Sequence, residues 1–407
     1  MNRRTFLQQS TIIGAAAATC WPATNCTATA KPDKKIKITR VIGFVLRTRR
    51  SKIAGRNSRL DVHGDRSGDR MLWIKTDKGL DGLGACRANK TAAAKLLGKT
   101  LGELYDEKNQ RMKGPLGAAT MPLWDLLGKS LGQPVYKLLG GKGPERVPVY
   151  DGSIYFADLL PQYEAKWQDR FKEEIDMGLK DGHRAFKIKI GRGAKWMKRA
   201  DGDRRDVAVV RLIRKHAGAD VALGVDANNG YDLAGTKRFM NQAGPLGLAF
   251  TEEMFDETVE QCLDYKKYLA SKGWKTLLAD GETQGKLEAF KPFIKHRAMD
   301  VLQADMKRFG IEGILTEAAW ARPQGIQIAP HNWGSLLGYY MQLHVGRAID
   351  NFYMAEHDPL STDLLIADGY ERKDGRSSVP DKPGFGLALH QANFAAQIKP
   401  TFDLRAR

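Results

Sequence analysis

A regular series of ionisable residues runs through the second half of the chain. From the first carboxylate onward, its members recur at intervals of 23 to 30 residues, about the length of one strand–helix unit. The series consists of Lys187, Lys189, Asp226, Glu252, Glu282, Asp305, His331 and Glu356. A single carboxylate after a strand often does no more than cap the next helix. A periodic set predicts instead that successive strand ends bring these groups to one cavity.

Three of these acids form a candidate metal site. Asp226, Glu252 and Glu282 would come from three consecutive strands. Converging carboxylates repel one another unless a cation neutralises them. Oxygen ligands that are completed by water or substrate favour Mg²⁺. The sequence therefore predicts a Mg²⁺ site, and the alternative is a set of helix caps and salt bridges within a basic chain.

Two candidate bases flank the predicted metal site. Lys187 and Lys189 alternate on a strand, so both ammonium groups can face inward and lower each other's pKa. One of them then becomes a general base near neutral pH, although Lys-x-Lys more often marks a solvated strand face. His331 follows the seventh strand, and Asp305 after the sixth can orient its imidazole. This pair supplies the second base.

Two bases beside a metal suit removal of a proton next to a carboxylate. The metal would bind the substrate carboxylate and offset the charge of the enediolate that forms when the α-proton leaves. One base would take that proton, and the other would return it or assist departure of a β-hydroxyl. Glu356, if protonated, would donate a hydrogen bond to the developing negative charge.

Eight short β-rich runs, each followed by a helical stretch, are predicted to carry these groups. The runs lie at residues 147–150, 185–190, 221–225, 248–251, 276–278, 300–302, 326–328 and 352–354. Right-handed crossovers would join parallel strands, and eight such units match an α/β barrel. A doubly wound open sheet is the alternative, weakened because no glycine-rich phosphate loop follows the first strand.

The region before residue 147 has a different pattern. Runs at residues 36–46 and 70–76 predict strands. A helical region is predicted from about Thr91 to Leu139, and it ends at Gly140-Gly141. Strands followed by helices indicate an α+β unit.

Residues 1–30 have the form of a twin-arginine export signal. Arg3-Arg4 precedes a weakly apolar stretch at residues 12–18, and Ala28-Thr29-Ala30 is a cleavage pattern. We therefore expect a periplasmic or otherwise exported protein with no stable membrane anchor after removal of the signal. An ordinary first helix is the alternative. The two cysteines outside this segment, Cys86 and Cys262, are expected to be buried free thiols.

The chain carries a large positive charge. Lys plus Arg number 65 and Asp plus Glu 47, so the net charge is +18, and +16 without the export signal. Hydrophobic residues at 42% and charged residues at 28% exclude a wholly disordered chain. Seven cations stand in a stretch without acids: Arg40, Arg47, Arg49, Arg50, Lys52, Arg56 and Arg59. We expect a cationic lid that attracts an acidic substrate, with Arg49 and Arg56 binding it. A solvated basic hairpin is the alternative, and nucleic-acid binding is not predicted because few aromatic residues lie alongside.

Several motifs together are highly specific. They are Leu123-Trp124-Asp125 and Gly128-Lys129, Lys187-Ile188-Lys189, Val225-Asp226-Ala227-Asn228, Glu252-Glu253, Asp280-Gly281-Glu282, Gln303-Ala304-Asp305, Ala329-Pro330-His331-Asn332, Glu356 and Pro383-Gly384-Phe385-Gly386. Over about residues 34–389 the chain resembles the mandelate racemase and muconate lactonizing branch of the enolase superfamily, in its mandelate racemase-like subgroup.

The resemblance implies a fold and a role for each site residue. The fold would be a modified TIM barrel, (β/α)7β, at residues 146–370, with an α+β capping domain formed by residues 31–145 and the C-terminal segment 371–407. Asp226, Glu252 and Glu282 would bind Mg²⁺. The acid/base groups would be Lys189 and the His331–Asp305 pair, with Glu356 as electrophilic partner, and Lys187 and Asn228 would contact the substrate. A homo-oligomer is also expected.

The function implied by the resemblance is Mg²⁺-dependent dehydration of an acid sugar to a 2-keto-3-deoxy sugar acid. Such an enzyme is a lyase. A racemase or epimerase of a 2-hydroxy acid, or a cycloisomerase, is the alternative on the same scaffold. A non-catalytic periplasmic carbohydrate-binding protein is the alternative from another class.

Overall fold

The structure is a computed structural model that describes residues 33–406, so the predicted export signal lies outside the described residues. The strands are β1 (Ile38–Ala54), β2 (Gly64–Thr76), β3 (Asp81–Ala85), β4 (Tyr105–Asp106), β5 (Arg111–Met112), β6 (Val147–Ile154), β7 (Ala185–Lys189), β8 (Ala222–Asp226), β9 (Leu248–Glu252), β10 (Leu277–Asp280), β11 (Val301–Leu302), β12 (Gln327–Ile328), β13 (Ala355–His357), β14 (Leu360–Ser361), β15 (Leu365–Ile366), β16 (Arg372–Lys373), β17 (Arg376–Ser377), β18 (Ala388–Leu389) and β19 (Phe402–Arg405).

The α-helices lie between these strands. They are α1 (Lys90–Ala94), α2 (Leu101–Leu104), α3 (Met121–Leu131), α4 (Val135–Leu138), α5 (Trp167–Lys180), α6 (Arg199–Ala217), α7 (Leu233–Ala243), α8 (Val259–Ser271), α9 (Phe290–His296), α10 (Met306–Ala321), α11 (Leu336–Ala348) and α12 (Gln391–Gln397). None of the helices within residues 33–406 is both long and apolar enough to cross a bilayer.

Eight parallel strands form a curled sheet that closes on itself. Strands β6 to β12 follow one another in chain order across the sheet. Strand β13 pairs with β6, and a bridge between Ile328 and Phe352 links the same segment to β12. The predicted α/β fold with a modified barrel is confirmed. The eighth strand, β13, lies three residues later than predicted, and it pairs Glu356 with Tyr150 of β6.

The cap is built on an antiparallel sheet whose main strands come from the N-terminal part of the chain. Its order is β14-β1-β2-β3, and the C-terminal strand β19 pairs with β1. Two short strands cross the sequence boundaries predicted for the domains: β14 pairs with β1 of the cap, and β17 pairs with β6 of the barrel. The two halves of the chain are therefore interwoven by backbone pairing.

The region predicted as helical from Thr91 to Leu139 is interrupted and needs correction. It contains four helices and the small β4–β5 hairpin. Glycines in the left-handed region break it, with φ of 77° at Gly98, 122° at Gly114 and 59° at Gly117. The predicted end at Gly140-Gly141 is confirmed, since α4 ends at Leu138.

The buried Asp125 on α3 joins the cap to the C-terminal segment. Its Oδ2 accepts a hydrogen bond from the backbone N–H of Leu83 at 2.9 Å, and its Oδ1 accepts one from Phe385 at 2.8 Å. Two motifs 260 residues apart thus meet at one carboxylate. Cys86 and Cys262 are buried free thiols, as predicted.

Candidate active site

Parallel register places the first part of the site side by side. Lys189 of β7 pairs with Asp226 of β8, and Asp226 pairs with Glu252 of β9. Lys187 lies two positions earlier on β7, on the same face of the strand. All four residues are buried. The carboxyl ends of three adjacent strands therefore bring two ammonium groups to two carboxylates.

The ammonium of Lys187 lies among three carboxylates. Its Nζ is 2.6 Å from Oε1 of Glu252, 2.8 Å from Oε1 of Glu356 and 3.2 Å from Oδ2 of Asp226. Lys189 forms an ion pair with Asp226 and donates a hydrogen bond to Oδ1 of Asn228 at 2.9 Å. Six of the predicted residues thus form one connected network.

The second base lies beside the same network. Nδ1 of His331 is 2.8 Å from Oδ2 of Asp305, and Nε2 is 3.0 Å from Oε2 of Glu282. The carboxylate of Asp305 keeps a hydrogen on Nδ1, so Nε2 is the atom that gains or loses a proton. Burial lowers the pKa of His331, but Glu282 and Asp305 raise it well above the usual value. Nε2 also lies 4.0 Å from Oε2 of Glu356, which joins both halves of the site.

Negative charge exceeds positive charge in this site. Two ammonium groups and one imidazole face the carboxyl groups of Asp226, Glu252, Glu253, Glu282, Asp305 and Glu356. Burial raises the pKa of Glu252 to about 8, with the neighbouring carboxylates adding to it against the opposing effect of Lys187. A divalent cation would relieve this excess. The all-oxygen set of Asp226, Glu252 and Glu282 fits Mg²⁺.

Glu253 and Gln303 extend the site beyond the residues chosen from sequence. Gln303 donates a hydrogen bond from Nε2 to Glu252 at 2.7 Å, and Glu253 accepts one from Asn228 at 2.9 Å. The remaining oxygens of Glu253 and Gln303, both Oε1, are buried without a hydrogen-bond partner among the described residues. Glu253 and Asn228 have φ of 41° and 43°, strained values of the kind that cluster at functional sites. Glu253 directly follows Glu252 and Gln303 lies two positions before Asp305, and this closeness in sequence was the available signal.

The predicted lowering of the lysine pKa values needs correction. Burial lowers the pKa of Lys189, and Lys187 lowers it further, but the carboxylates of Asp226, Glu282 and Glu252 together outweigh both effects, so the net pKa is raised. Burial also lowers the pKa of Lys187, yet Glu252 and Glu356 raise it well above the usual value. The Lys-x-Lys spacing shows that each lysine has one neighbouring ammonium group. It did not show how many carboxylates would surround the pair.

The contacts of Glu356 do not favour the protonated carboxyl group that it would need as a hydrogen-bond donor. Its Oε2 accepts the backbone N–H of Asn332 at 2.7 Å, and its Oε1 faces the ammonium of Lys187. Burial raises the pKa of Glu356, but Lys187 and His331 lower it more. Glu356 is therefore a hydrogen-bond acceptor in this arrangement.

Residues 54–67, here called the cap segment, cross from the cap to the mouth of the barrel. Ser58 donates a hydrogen bond from Oγ to the carbonyl of Ala227 at 2.7 Å, just beyond β8. Ser67 donates one to the carbonyl of Gly334 at 2.6 Å, in the loop after β12. The cap segment is thus attached at two points around the site.

The predicted cationic lid is largely neutralised, which corrects the expectation of free positive charge. Its ion pairs are Arg40–Asp403, Arg49–Asp65, Arg50–Asp358, Lys52–Glu174, Arg56–Asp61 and Arg59–Asp256. Arg49, whose side chain is 70% exposed, faces Asp65. Arg56 also donates to the carbonyl of Leu159 at 3.0 Å. These contacts direct the two predicted substrate-binding arginines to groups outside the carboxylate network.

A second group of possible metal ligands lies outside the barrel mouth. Donor atoms of Asp181, His183 and His357 are within 4.8 Å of one another. Their hydrogen bonds already account for them: the two imidazoles share a hydrogen bond of 3.1 Å, His183 donates to the carbonyl of Gly178, and Asp181 pairs with Arg372. His183 thus links Gly178 of α5 to His357 of β13, while Asp181 is held separately by Arg372.

Comparisons with known proteins agree with this geometry. A sequence model of the family described as Enolase C-terminal domain-like matches residues 170–393, more than half of the chain. Arabinonate dehydratase from Saccharolobus solfataricus is 29% identical over 275 residues, which cover 67% of this chain and 69% of that protein.

Two crystal structures from Geobacillus sp. are similar over nearly their whole length. A galacturonate dehydratase, complexed with D-galacturonate and 5-keto-4-deoxy-D-galacturonate, is 31% identical with a TM-score of 0.82, covering 89% of this chain and 97% of that one. A mandelate racemase/muconate lactonizing protein complexed with magnesium and tartrate is also 31% identical with a TM-score of 0.82, covering 90% and 96%. Together with the two bases and the carboxylate set, these matches show that the chain belongs to the enolase superfamily, as a mandelate racemase-like member of the Enolase C-terminal domain-like family.

Proposed function

We propose that this protein is a Mg²⁺-dependent acid-sugar dehydratase, a lyase that forms a 2-keto-3-deoxy acid. The observation that carries the proposal is that Lys189 and the His331–Asp305 pair flank one buried group of carboxylates. The similar arabinonate and galacturonate dehydratases support the substrate class, and the structure complexed with magnesium supports the metal.

Asp226, Glu252 and Glu282 would hold the metal. When bound, Mg²⁺ supplies positive charge that acidifies the α-proton of a carboxylate substrate. The protein supplies the proton transfers. Metal binding by Asp226 and Glu282 would weaken the ion pairs that raise the pKa values of Lys189 and His331. One of the two bases, Nζ of Lys189 or Nε2 of His331, would then accept the α-proton, and the other would deliver a proton to the departing β-hydroxyl. The C–H electron pair becomes a C=C bond, the C–O bond breaks, water leaves, and the resulting enol tautomerises to the 2-keto acid.

Glu356 and Lys187 position this chemistry. Glu356 pairs with Lys187 and lies 4.0 Å from Nε2 of His331, so it links the lysine strand to the His331 side of the site. Lys187 keeps a positive charge beside the carboxylates, where a substrate carboxylate can be held. Both side chains are 1% exposed, so these two positioning groups are shielded from water.

The test is a screen of mono- and dicarboxylic acid sugars with Mg²⁺, with 2-keto acid formation as the readout. We expect Lys189→Ala and His331→Asn to lower kcat by about 10²- to 10⁴-fold. His296→Asn, on the exposed end of α9, is the control and should retain full activity. Activity that survives EDTA would refute the metal role, and exchange of the α-proton without keto product would indicate a racemase or epimerase.

We also propose that the chain is exported through its twin-arginine segment. The support is the Arg3-Arg4 pair ahead of an apolar stretch and an Ala-x-Ala pattern. Replacing both arginines with lysine should retain the protein in the cytoplasm, as measured by cell fractionation. Equal export of the wild type and the variant would contradict this. The homo-oligomer stays a prediction, to be measured by light scattering.

A further inference from the structure

Three rings from separate elements meet at the mouth of the barrel, and we call them the aromatic triad: His63, Tyr155 and Trp333. His63 belongs to the cap segment, Tyr155 follows β6, and Trp333 lies two residues beyond His331. The centroid of the His63 ring is 4.8 Å from that of Tyr155 and 5.6 Å from that of Trp333. The other two rings stack on each other at 4.5 Å.

The tautomer of His63 follows from its partner. Nε1 of Trp333 lies 3.2 Å from Nδ1 of His63. An indole N–H can only donate, so Nδ1 must accept and the hydrogen of the neutral ring lies on Nε2. Burial lowers the pKa of His63 to about 4, and the positive charges of Lys189 and Arg50 add to this effect. The ring is therefore neutral at neutral pH and has one N–H to give.

That N–H has no acceptor of its own. Nε2 is buried and has no hydrogen-bond partner among residues 33–406. Leaving a buried donor unsatisfied is costly, so such a group in a site is a place where a ligand gains affinity. The triad adjoins the acid/base group, since Nζ of Lys189 lies 5.3 Å from the centroid of the Tyr155 ring.

The donor is held in place before any ligand binds. The backbone N–H of His63 donates to the carbonyl of Ala54 at 3.1 Å. The guanidinium of Arg50 lies over the ring of Trp333, 4.4 Å from its centroid, and is itself fixed by the buried Asp358. A preorganised donor loses little entropy on binding and therefore selects strongly for an acceptor.

We propose that His63 is a specificity-determining residue that donates a hydrogen bond from Nε2 to a hydroxyl or carboxylate oxygen in the part of an acid sugar beyond its reacting carbons. The inference rests on the proposed function and narrows its substrate class. A polyhydroxylated acid has an oxygen to accept this bond. A short 2-hydroxy acid such as lactate has no oxygen beyond its reacting carbons.

The test compares binding of two ligands by calorimetry in the presence of Mg²⁺. The first is the tightest-binding member of a panel of hexonates and hexuronates, and the second is lactate. We expect His63→Phe, which keeps a ring but removes the donor, to weaken sugar-acid binding by about tenfold and to leave lactate binding unchanged. His63→Gln, which keeps a donor, should recover part of the loss. His296→Phe is the control and should change neither affinity.

Equal loss for both ligands, no loss for either, or a wild type that binds lactate as tightly as every sugar acid would overturn the inference. Nitrogen NMR of histidine-labelled protein is an independent readout: the His63 ring should show the Nε2–H form and become a tautomer mixture in Trp333→Phe. If no acid sugar is turned over, the proposed dehydratase fails. The binding comparison and the tautomer still decide the role of His63.

Discussion

Breaking the Arg50–Asp358 ion pair should destabilise the protein strongly, because this pair joins the cap to the barrel without access to water. The two side chains are 2% and 0% exposed, and both N–O distances of the bidentate contact are 2.7 Å. Asp358 also accepts the backbone N–H of Gly334 at 3.0 Å. Asp358→Ala therefore leaves a buried guanidinium and a buried N–H without their acceptor.

Removing one partner of a buried pair costs about 3–5 kcal/mol. For a chain of this length, that loss corresponds to a fall in Tm of roughly 5 °C, measured by scanning calorimetry. Arg50→Met should cost a similar amount. The double variant Arg50→Met, Asp358→Leu should be clearly more stable than the sum of the single effects predicts, since it leaves no unpaired charge.

The exposed ion pair Lys99–Glu103 provides the matched control. Its side chains are 50% and 46% exposed, so Glu103→Gln should leave Tm unchanged within error. If Asp358→Ala lowers Tm no more than this control does, or if the double variant is simply additive, the account of a buried charge pair between cap and barrel is wrong.

Three further results are expected. Burial raises the pKa of Glu317 to about 8, so between about pH 4.5 and 8 the folded protein binds more protons than the unfolded chain and loses stability as the pH rises. In urea unfolding, Glu317→Gln should flatten the slope of the free energy of unfolding against pH, and an unchanged slope would contradict this prediction. Gly310→Ala should lower the Tm, since the new Cβ would lie 2.0 Å from the carbonyl oxygen of Ala118 at a φ of 63°. Gly285→Ala is the control and should not lower it, because no atom lies within 4 Å of the new Cβ. Equal Tm values for the two variants would count against the clash. Mg²⁺ at 100 times its Kd should stabilise the wild type by about 2.7 kcal/mol and Glu282→Gln by much less, and equal shifts would show that Glu282 is not a ligand.

The spacing of residues along the chain is sufficient to predict the barrel and its main site, because a parallel barrel places residues at regular intervals at the same end of neighbouring strands. Each strand–helix unit returns the chain to the same edge, so residues 23 to 30 positions apart become neighbours at the mouth. The pairing of Asp226 with Glu252 is the direct result, and Lys189 pairs with Asp226 across a longer unit of 37 positions. The helical region of the cap was predicted less well, because single glycines with positive φ decided where its helices stop.

Electrostatics depended on contacts that no local pattern contains. Residues 40–59 contain no acids in sequence, yet Asp403, Asp358 and Glu174 neutralise cations of this stretch from distant parts of the chain. The partners Arg50 and Asp358 are 308 residues apart. The same limit applies to the lysine pKa values, since their direction depends on how many carboxylates the fold gathers around Lys187.

The sequence by itself determined the fold class, the eight ionisable groups of the site and the type of chemistry they can perform. These follow from residue type and repeat length, which a regular barrel preserves. The tertiary structure alone decided the neutralised lid, the hydrogen-bond acceptor role of Glu356 and the aromatic triad around His63. The triad arises where the cap segment meets the barrel, and the contacts of Glu356 join barrel strands that are far apart in sequence. Contacts of this kind depend on how the whole chain folds rather than on the sequence of either partner segment.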